Sequence, residues 1–238
     1  MSCGARAPTG EESMYQFVFF DLDDTLLDFQ KAEAIAVAKA LQSVGVSPTE
    51  ALIYRYSQVN KQHWQRLERG ELTREQVLVQ RFAALFQEQG IDTDPAICRT
   101  HYEDLLCQGH YFIDGAQEIL SYLAPKYRLY LASNGTAKVQ DSRLRSAGIS
   151  AYFQDIFISE RLGANKPSLS FFQKCFARIP DFRPEQALII GDSLTSDIQG
   201  GNNAGISTCW LNPKGASRPT DLRIDWEIRR LCDLKTIL

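Results

Sequence analysis

Residues 17–28 read Phe-Val-Phe-Phe-Asp-Leu-Asp-Asp-Thr-Leu-Leu-Asp, an apolar run that ends abruptly in acid. Phe17–Phe20 shows no polar alternation, which suits a central strand of a parallel sheet with both faces covered. The run delivers Asp21, Asp23 and Asp24 to the carboxyl edge of that strand, where open α/β sheets bind their ligands. Side chains two apart on an extended chain point the same way, so Asp21 and Asp23 face one site. Two carboxylates held together repel unless a cation or a shared proton offsets them. A hard metal ion is therefore the first expectation, and Mg²⁺ together with a phosphate the second. The competing reading is an Asp-rich loop that only caps the next helix; the residues downstream outweigh it.

Beyond Asp28 the chain loses strand character and breaks into helices with legible ends. Lys31–Leu41 is Ala-rich and helical by propensity. Ser47-Pro48-Thr49-Glu50 reads as a capping box with proline at the first helical position. The helix it opens carries Leu52, Tyr56, Val59, His63 and Leu67 on one stripe and stops at Gly70. Thr73–Gln76 is another capping box, followed by Leu78, Phe82, Leu85 and Phe86 and closed by Gly90. Asp94-Pro95 opens a further helix, with Cys98, Tyr102 and Leu105 in register and Gly109 at its end. From Phe112 the pattern becomes alternating: strands at 128–132, 155–158, 187–190 and 207–211, with helices at 114–123, up to Gly148, 168–177 and 198–204 between them. Such alternation implies right-handed βαβ crossovers and a parallel sheet. The expected fold is α/β: a doubly wound, Rossmann-type parallel-sheet core over residues 14–26 and 112–238, interrupted by an all-helical cap at 27–111. Residues 1–13 have no periodicity and read as a flexible leader, with Met14 a credible start.

The bulk numbers exclude several classes. A chain of 238 residues, 44% apolar and 23% charged, can bury a large core plus a smaller domain. Net charge of −3 gives no basic field for nucleic acid or a membrane surface. No apolar run approaches the roughly 20 residues of a membrane span. The six cysteines, at 3, 98, 107, 175, 209 and 232, form no CxxC and no zinc spacing. Reduced thiols and a cytoplasmic location are the corresponding expectation.

If the sheet is parallel, its strand ends can be inspected for chemistry. The first ends in Asp21 and Asp23, the second in Ser133-Asn134-Gly135, and the loop beyond the third carries Lys166-Pro167. The fourth ends in Gly191-Asp192-Ser193, with Asp197 five residues after Asp192. Singly, each has a bland explanation: a turn, a solvated loop, or acids at a helix N-terminus. Together, DxDxT, SNG, Lys-Pro and GDSxxxxD in this order resemble the four motifs of the haloacid dehalogenase (HAD) superfamily, over essentially everything after residue 14. Asp21–Phe29, Gly200–Gly205 and Thr208–Asn212 further resemble a pyrimidine 5′-nucleotidase subgroup. Asp225-Trp226-Glu227-Ile228 fits the short terminal strand of such proteins.

The resemblance implies roles residue by residue. Asp21 matches the nucleophile that forms an aspartyl-phosphate, and Asp23 the acid/base residue, with its main-chain carbonyl on the metal. Asp192 matches a direct Mg²⁺ ligand and Asp197 a carboxylate in or behind the metal shell. Ser133, with the N–H of Asn134 or Gly135, matches the phosphoryl cradle, and Lys166 the cation that neutralises phosphate and keeps the nucleophile ionised. His63 on its stripe reads as core packing and Trp210 as packing at the sheet edge. Phe29 and Asp28 hold the better position for substrate contact, while His110 and Tyr111 lie on the return linker.

The implied activity is a Mg²⁺-dependent phosphomonoesterase acting on a small phosphorylated substrate, with pyrimidine nucleoside 5′-monophosphates first. The alternatives are a sugar-phosphate or phosphoglycolate phosphatase, a phosphomutase, a 2-haloacid dehalogenase and a non-catalytic binding protein. Carbon–halogen hydrolysis needs neither an acid for its leaving group nor a metal, so Asp23, Asp192 and Asp197 argue against it.

Overall fold

The computed structural model describes residues 14–238; the leader expected at 1–13 lies outside them. Six parallel strands form one sheet: β1 (Phe17–Phe20), β2 (Arg128–Ser133), β3 (Asp155–Ile158), β4 (Ala187–Gly191), β5 (Ser207–Leu211) and β6 (Trp226–Ile228). Their spatial order is β3-β2-β1-β4-β5-β6, so β1 is flanked by β2 and β4. Phe20 pairs with Leu131 on one side and Ile190 on the other. The strand order reverses at β1, and the crevice outside that point is where such sheets take ligands.

The two faces of the sheet are filled differently. Val18, Phe20, Leu131 and Ile190 pack with Ile119, Leu120 and Leu123 of helix α5 (Ala116–Leu123). Phe17, Phe19, Tyr130 and Ile189 pack with Phe171, Phe172 and Cys175 of α8 (Leu169–Phe176). The aromatic side is layered, with Phe19 and Tyr130 stacked at 5.2 Å. Each such ring contributes roughly 1.5–3 kcal/mol by leaving water, which fixes the strand ends above it.

Between β1 and α5 run four helices: α1 (Phe29–Ser43), α2 (Glu50–Glu68), α3 (Arg74–Gln89) and α4 (Pro95–Leu106). They share a separate core of Ala36, Val37, Leu41, Tyr56, Phe82 and Tyr102 among others. The chain leaves and re-enters the sheet layer side by side. Leu27 bridges Phe112 in antiparallel fashion, the Asp28 N–H donates to Tyr111 O (2.8 Å), and the Ile113 N–H donates to Leu26 O (3.0 Å). No helix among the described residues is long and apolar enough to cross a membrane.

Local signals differ from expectation at a few points. The Thr73–Gln76 capping box forms, and Asp94 caps α4 with Pro95 in its first turn. At 47–50 the cap is Thr49, which accepts from the Leu52 N–H, so Pro48 lies outside α2. The helix anticipated at 114–123 begins only at Ala116, after Gly115 in the left-handed region. That anticipated at 198–204 is preceded by a π-helical stretch, Leu194–Ile198, before α9 (Gln199–Ala204). A short α7 (Ser159–Leu162) follows β3, and α6 spans Ala137–Ala147. Trp210 is not at the sheet edge: β6 covers that side, and the indole is buried.

Candidate active site

Lys166 organises the acidic end of the sheet. Its ammonium, 1% exposed, donates to Asp21 Oδ1, Asp197 Oδ1 and Ala132 O, each at 2.6 Å. All three protons are thereby used within the protein. Asp197, fully buried, takes the second of its bonds from the Ser193 N–H on Oδ2 (3.1 Å). The position before Asp192 must be glycine for this to happen. A Cβ on Gly191 would lie 2.1 Å from Asp197 Oδ2 and 2.7 Å from Asp197 Cβ. Asp192 itself is held through its main chain, its N–H donating to Thr25 Oγ1 (3.2 Å) and its carbonyl accepting from Trp210 Nε1 (2.9 Å).

Asp21, Asp192 and Asp197 each offer a carboxylate oxygen, and these oxygens lie within 4.8 Å of one another. Three carboxylates facing one ammonium leave two negative charges without compensation in a buried place. Burial pushes Asp21 up to about 8 against the pull of Lys166, with Asp197 and Asp23 adding to the rise. Asp192 rises well above the usual carboxylate range, first from burial and then from Asp21 and Asp197. An all-oxygen donor set with this charge deficit fits one hard divalent cation such as Mg²⁺.

Asp23 sits in a second network, with α6. Its Oδ2 accepts from Gln140 Nε2 (2.6 Å), and its Oδ1 is paired with Arg143 Nη1. The same Gln140 nitrogen donates to Ser133 Oγ (2.8 Å), so one amide joins the second motif-one aspartate to the end of β2. Arg143 is fully buried and also donates to Gly109 O (2.7 Å), on the return from the helical unit. Ser133 Oγ accepts a second bond from the Gly135 N–H (3.1 Å). A Cβ on Gly135 would strike Gln140 Nε2 at 2.2 Å, so the glycine permits this approach. Asn134 spends its side chain on Lys166, accepting from its N–H and donating to its carbonyl, both at 2.9 Å. It staples two loops at the cavity wall.

The helical unit reaches down onto these loops. Arg74, at the start of α3, donates to Asn134 O (2.8 Å), Gly135 O (3.1 Å), Ser159 Oγ (2.5 Å) and Asn165 Oδ1 (2.7 Å). Glu68 accepts from Thr195 Oγ1 (2.8 Å). Between unit and sheet lies a cavity of about 620 Å³, lined by Asp21, Asp23, Lys166 and Asp192 and by Phe29, Trp64, Glu33 and Arg81 from the helices. His63 is buried in its stripe, bonded through Nδ1 to Val59 O (2.8 Å), and Asp28 caps α1. His110 bonds only along its own linker, to Gln108 O (2.9 Å). Tyr111 lies beneath Lys31.

Every residue expected at the site from the sequence thus lies at one edge of the sheet. Gln140, Arg143, Trp210 and Arg74 join them without having been anticipated as site residues, and Thr25, the threonine of DxDxT, holds the Asp192 N–H. For Gln140 and Arg143 a signal existed: both fall on the buried face of α6 beside Val139 and Leu144, where apolar residues are the rule.

Comparison with known proteins agrees with this layout. HAD-hydrolase YfnB of Bacillus subtilis is 41% identical over 224 residues, 94% of this chain and 95% of that protein. Its solved structure, bound to magnesium and described as revealing interdomain movement, superposes with a TM-score of 0.90 over 95% of this chain and 99% of that one. Pyrimidine 5′-nucleotidase PynA of Streptococcus pneumoniae is 39% identical over 92% of this chain and 93% of its own. Pyrimidine 5′-nucleotidase YjjG of Escherichia coli is 26% identical over 94% and 98%. The haloacid dehalogenase-like hydrolase family model matches residues 15–205, and the chain belongs to that family of hydrolases.

Proposed function

We propose that the chain is a Mg²⁺-dependent phosphomonoesterase that hydrolyses small phosphorylated metabolites, pyrimidine nucleoside 5′-monophosphates first among them. The observation that carries this reading is the Asp21–Lys166–Asp197 cluster beside Asp192, short of two positive charges and open to a cavity. PynA and YjjG, both named pyrimidine 5′-nucleotidases, support the substrate. Residues 27–111 act as a cap over a core of residues 14–26 and 112–238.

The carboxylates of Asp21 and Asp192 and the main-chain carbonyl of Asp23 would hold Mg²⁺, with Asp197 behind them. When bound, the ion offsets charge on the phosphoryl oxygens and on the nucleophile. Asp21 attacks phosphorus in line: a bond from its carboxylate oxygen forms while the ester P–O bond breaks. Lys166 holds that carboxylate in one orientation and keeps positive charge beside it without moving. Ser133, whose oxygen already accepts from Gln140 and Gly135, keeps its own proton for a phosphoryl oxygen. Asp23 first takes up a proton from solvent as it exchanges its Gln140 and Arg143 partners for the leaving oxygen, and then gives that proton to the departing alkoxide. In the second half it takes a proton from the water that attacks phosphorus, releasing phosphate and restoring the Asp21 carboxylate. Positioning and charge dominate because the phosphoryl transition state is loose, and the cap excludes bulk water.

The test is kcat/KM for uridine, thymidine and adenosine 5′-monophosphates, a sugar phosphate and phosphoglycolate, with phosphate release as readout. Preference for the pyrimidine nucleotides is expected. A clear preference for a sugar phosphate or phosphoglycolate refutes the nucleotidase assignment, transfer to a second hydroxyl in place of water identifies a mutase, and full activity after exhaustive chelation refutes the metal.

A further inference from the structure

The helical wall of the cavity contains a chain of polar groups, buried on α1, α2 and α3 and half-buried on α4. Glu33 on α1 is 3% exposed, and Asn60 on α2 and Arg81 on α3 are each 2% exposed. Asn60 Nδ2 donates to Glu33 Oε1 (2.6 Å), and Arg81 Nη1 donates to Asn60 Oδ1 (2.9 Å). Glu103 on α4 lies 3.7 Å from Arg81 Nη2. Around them the unit is packed with aromatic and aliphatic side chains, including Tyr56, Phe82 and Tyr102. A buried ionic chain of this kind adds little stability over an apolar filling of the same volume. All four residues also line the cavity that holds Asp21 and Lys166.

The chain has unspent hydrogen-bonding capacity. One N–H of the Asn60 amide carries no bond to another member, Arg81 Nε is buried without a partner among the described residues, and the Glu33 carboxylate is shared between Asn60 and Ser57, which also lines the cavity. Burial raises Glu33, while Ser57, Asn60 and the Arg81 charge work against that rise. Arg81 already faces Glu33 and Glu103, so it offers no spare charge for an anion. The wall therefore presents an acceptor next to donors, without net attraction for a carboxylate. Phe29 and Trp64 line the same cavity and add flat apolar surface.

We propose that Glu33, Asn60 and Arg81 are the specificity-determining residues for the leaving group, and that they take a neutral ring bearing adjacent hydrogen-bond donor and acceptor groups, such as the imide edge of a pyrimidine. This rests on the phosphomonoesterase reading above. The sheet-edge residues serve the phosphoryl group and the leaving oxygen, and none of them is placed to read the ring beyond that oxygen.

The experiment compares the wild type, Asn60→Leu and Glu33→Gln, as full-length Mg²⁺-loaded protein, on three substrates: uridine 5′-monophosphate, p-nitrophenyl phosphate and phosphoglycolate. Loss of one or two hydrogen bonds to a buried partner is expected to lower the ratio of kcat/KM for the nucleotide over the aryl phosphate by roughly 10–100-fold in Asn60→Leu. Glu33→Gln is expected to lower the same ratio and to raise the relative rate on phosphoglycolate, because a repelling charge is gone. Its shape is conserved, so it carries the test if Asn60→Leu fails to fold. Ratios unchanged in a folded variant overturn the specificity assignment and leave the phosphatase reading intact. A wild type inactive on all three overturns both.

Discussion

Adding one methyl group at Gly191 should disable the site from a position that touches neither substrate nor metal. In Gly191→Ala the new carbon would lie 2.1 Å from Asp197 Oδ2 and 2.3 Å from its Cγ, more than 1 Å inside ordinary contact. The strand cannot give way, since β4 is hydrogen-bonded between β1 and β5 and Gly191 is registered against Trp210. Asp197 must swing instead, losing Lys166 Nζ at 2.6 Å and the Ser193 N–H at 3.1 Å. Breaking a buried ion pair on one side costs about 3–5 kcal/mol. At roughly 2–4 °C per kcal/mol for a protein of this size, the midpoint of thermal unfolding should fall by about 10 °C. Lys166 then loses one of the anchors that set Asp21, and kcat on p-nitrophenyl phosphate should fall by about 10²-fold, the scale for removing one preorganised charge contact. A double-mutant cycle isolates the clash. Asp197→Gly removes the obstructing side chain, so adding Gly191→Ala in that background should be nearly neutral, with coupling above about 2 kcal/mol. Additive effects, or a Gly191→Ala protein that melts and turns over like the wild type, would refute the reasoning.

Three further outcomes follow from the same geometry. Burial raises Asp21 from 3.8 to about 8, so metal-free native protein binds a proton there that the unfolded chain has released above 3.8; its stability should fall as pH climbs from about 4 to 8. Mg²⁺ replaces that proton, so the rise in melting temperature on adding Mg²⁺ should grow over the same window, and a rise that shrinks toward pH 8 contradicts the assignment. Asp21→Asn should abolish turnover, whereas Asp23→Asn should cost roughly 10²–10⁴-fold on alkyl phosphates and less on aryl phosphates in a single-turnover assay; equal losses would remove Asp23 as the acid. Arg74→Ala frees the 134–135 loop, Ser159 and Asn165 together, so kcat/KM should drop about tenfold or more on every phosphate ester. Arg74→Lys should not restore it, because one ammonium cannot span the four acceptors that a planar fork reaches.

The chemistry was legible in the sequence where one strand end carries one functional group. Phe17–Phe20 running into Asp21, Ser133 after β2, Lys166 after β3 and Asp192 after β4 are separated in the chain but share an edge by topology, and alternating helices and strands dictate that topology. Capping at Thr73 and Asp94 was equally readable, because those bonds are local. The residues that escaped all act across distance. Gln140 and Arg143 stand out only as polar residues on the apolar face of α6, and their partner is named only when α6 is laid against Asp23. Arg74 shows only as a helix-start residue beside its capping threonine. The Glu33–Asn60–Arg81 chain needs three helices to be docked before any of it meets. Trp210 reads as an apolar strand residue, and only the bond from its indole to Asp192 O ties it to the site. The π-helical stretch at Leu194–Ile198 carries Asp197, whose carboxylate meets Lys166 from a different loop, and propensity does not record that contact.

The side-by-side exit and return at Leu27 and Phe112 carries an evolutionary consequence. An excursion that begins and ends at one bridged point leaves the ladder of β1 with β2 indifferent to its length and content. Lineages could lengthen, trim or exchange the helices there without disturbing the register that sets Phe20 against Leu131. The chemistry of the phosphoryl group and the choice of what it is cut from would then drift as largely separate traits within one gene, tied where Arg74 grips the 134–135 loop.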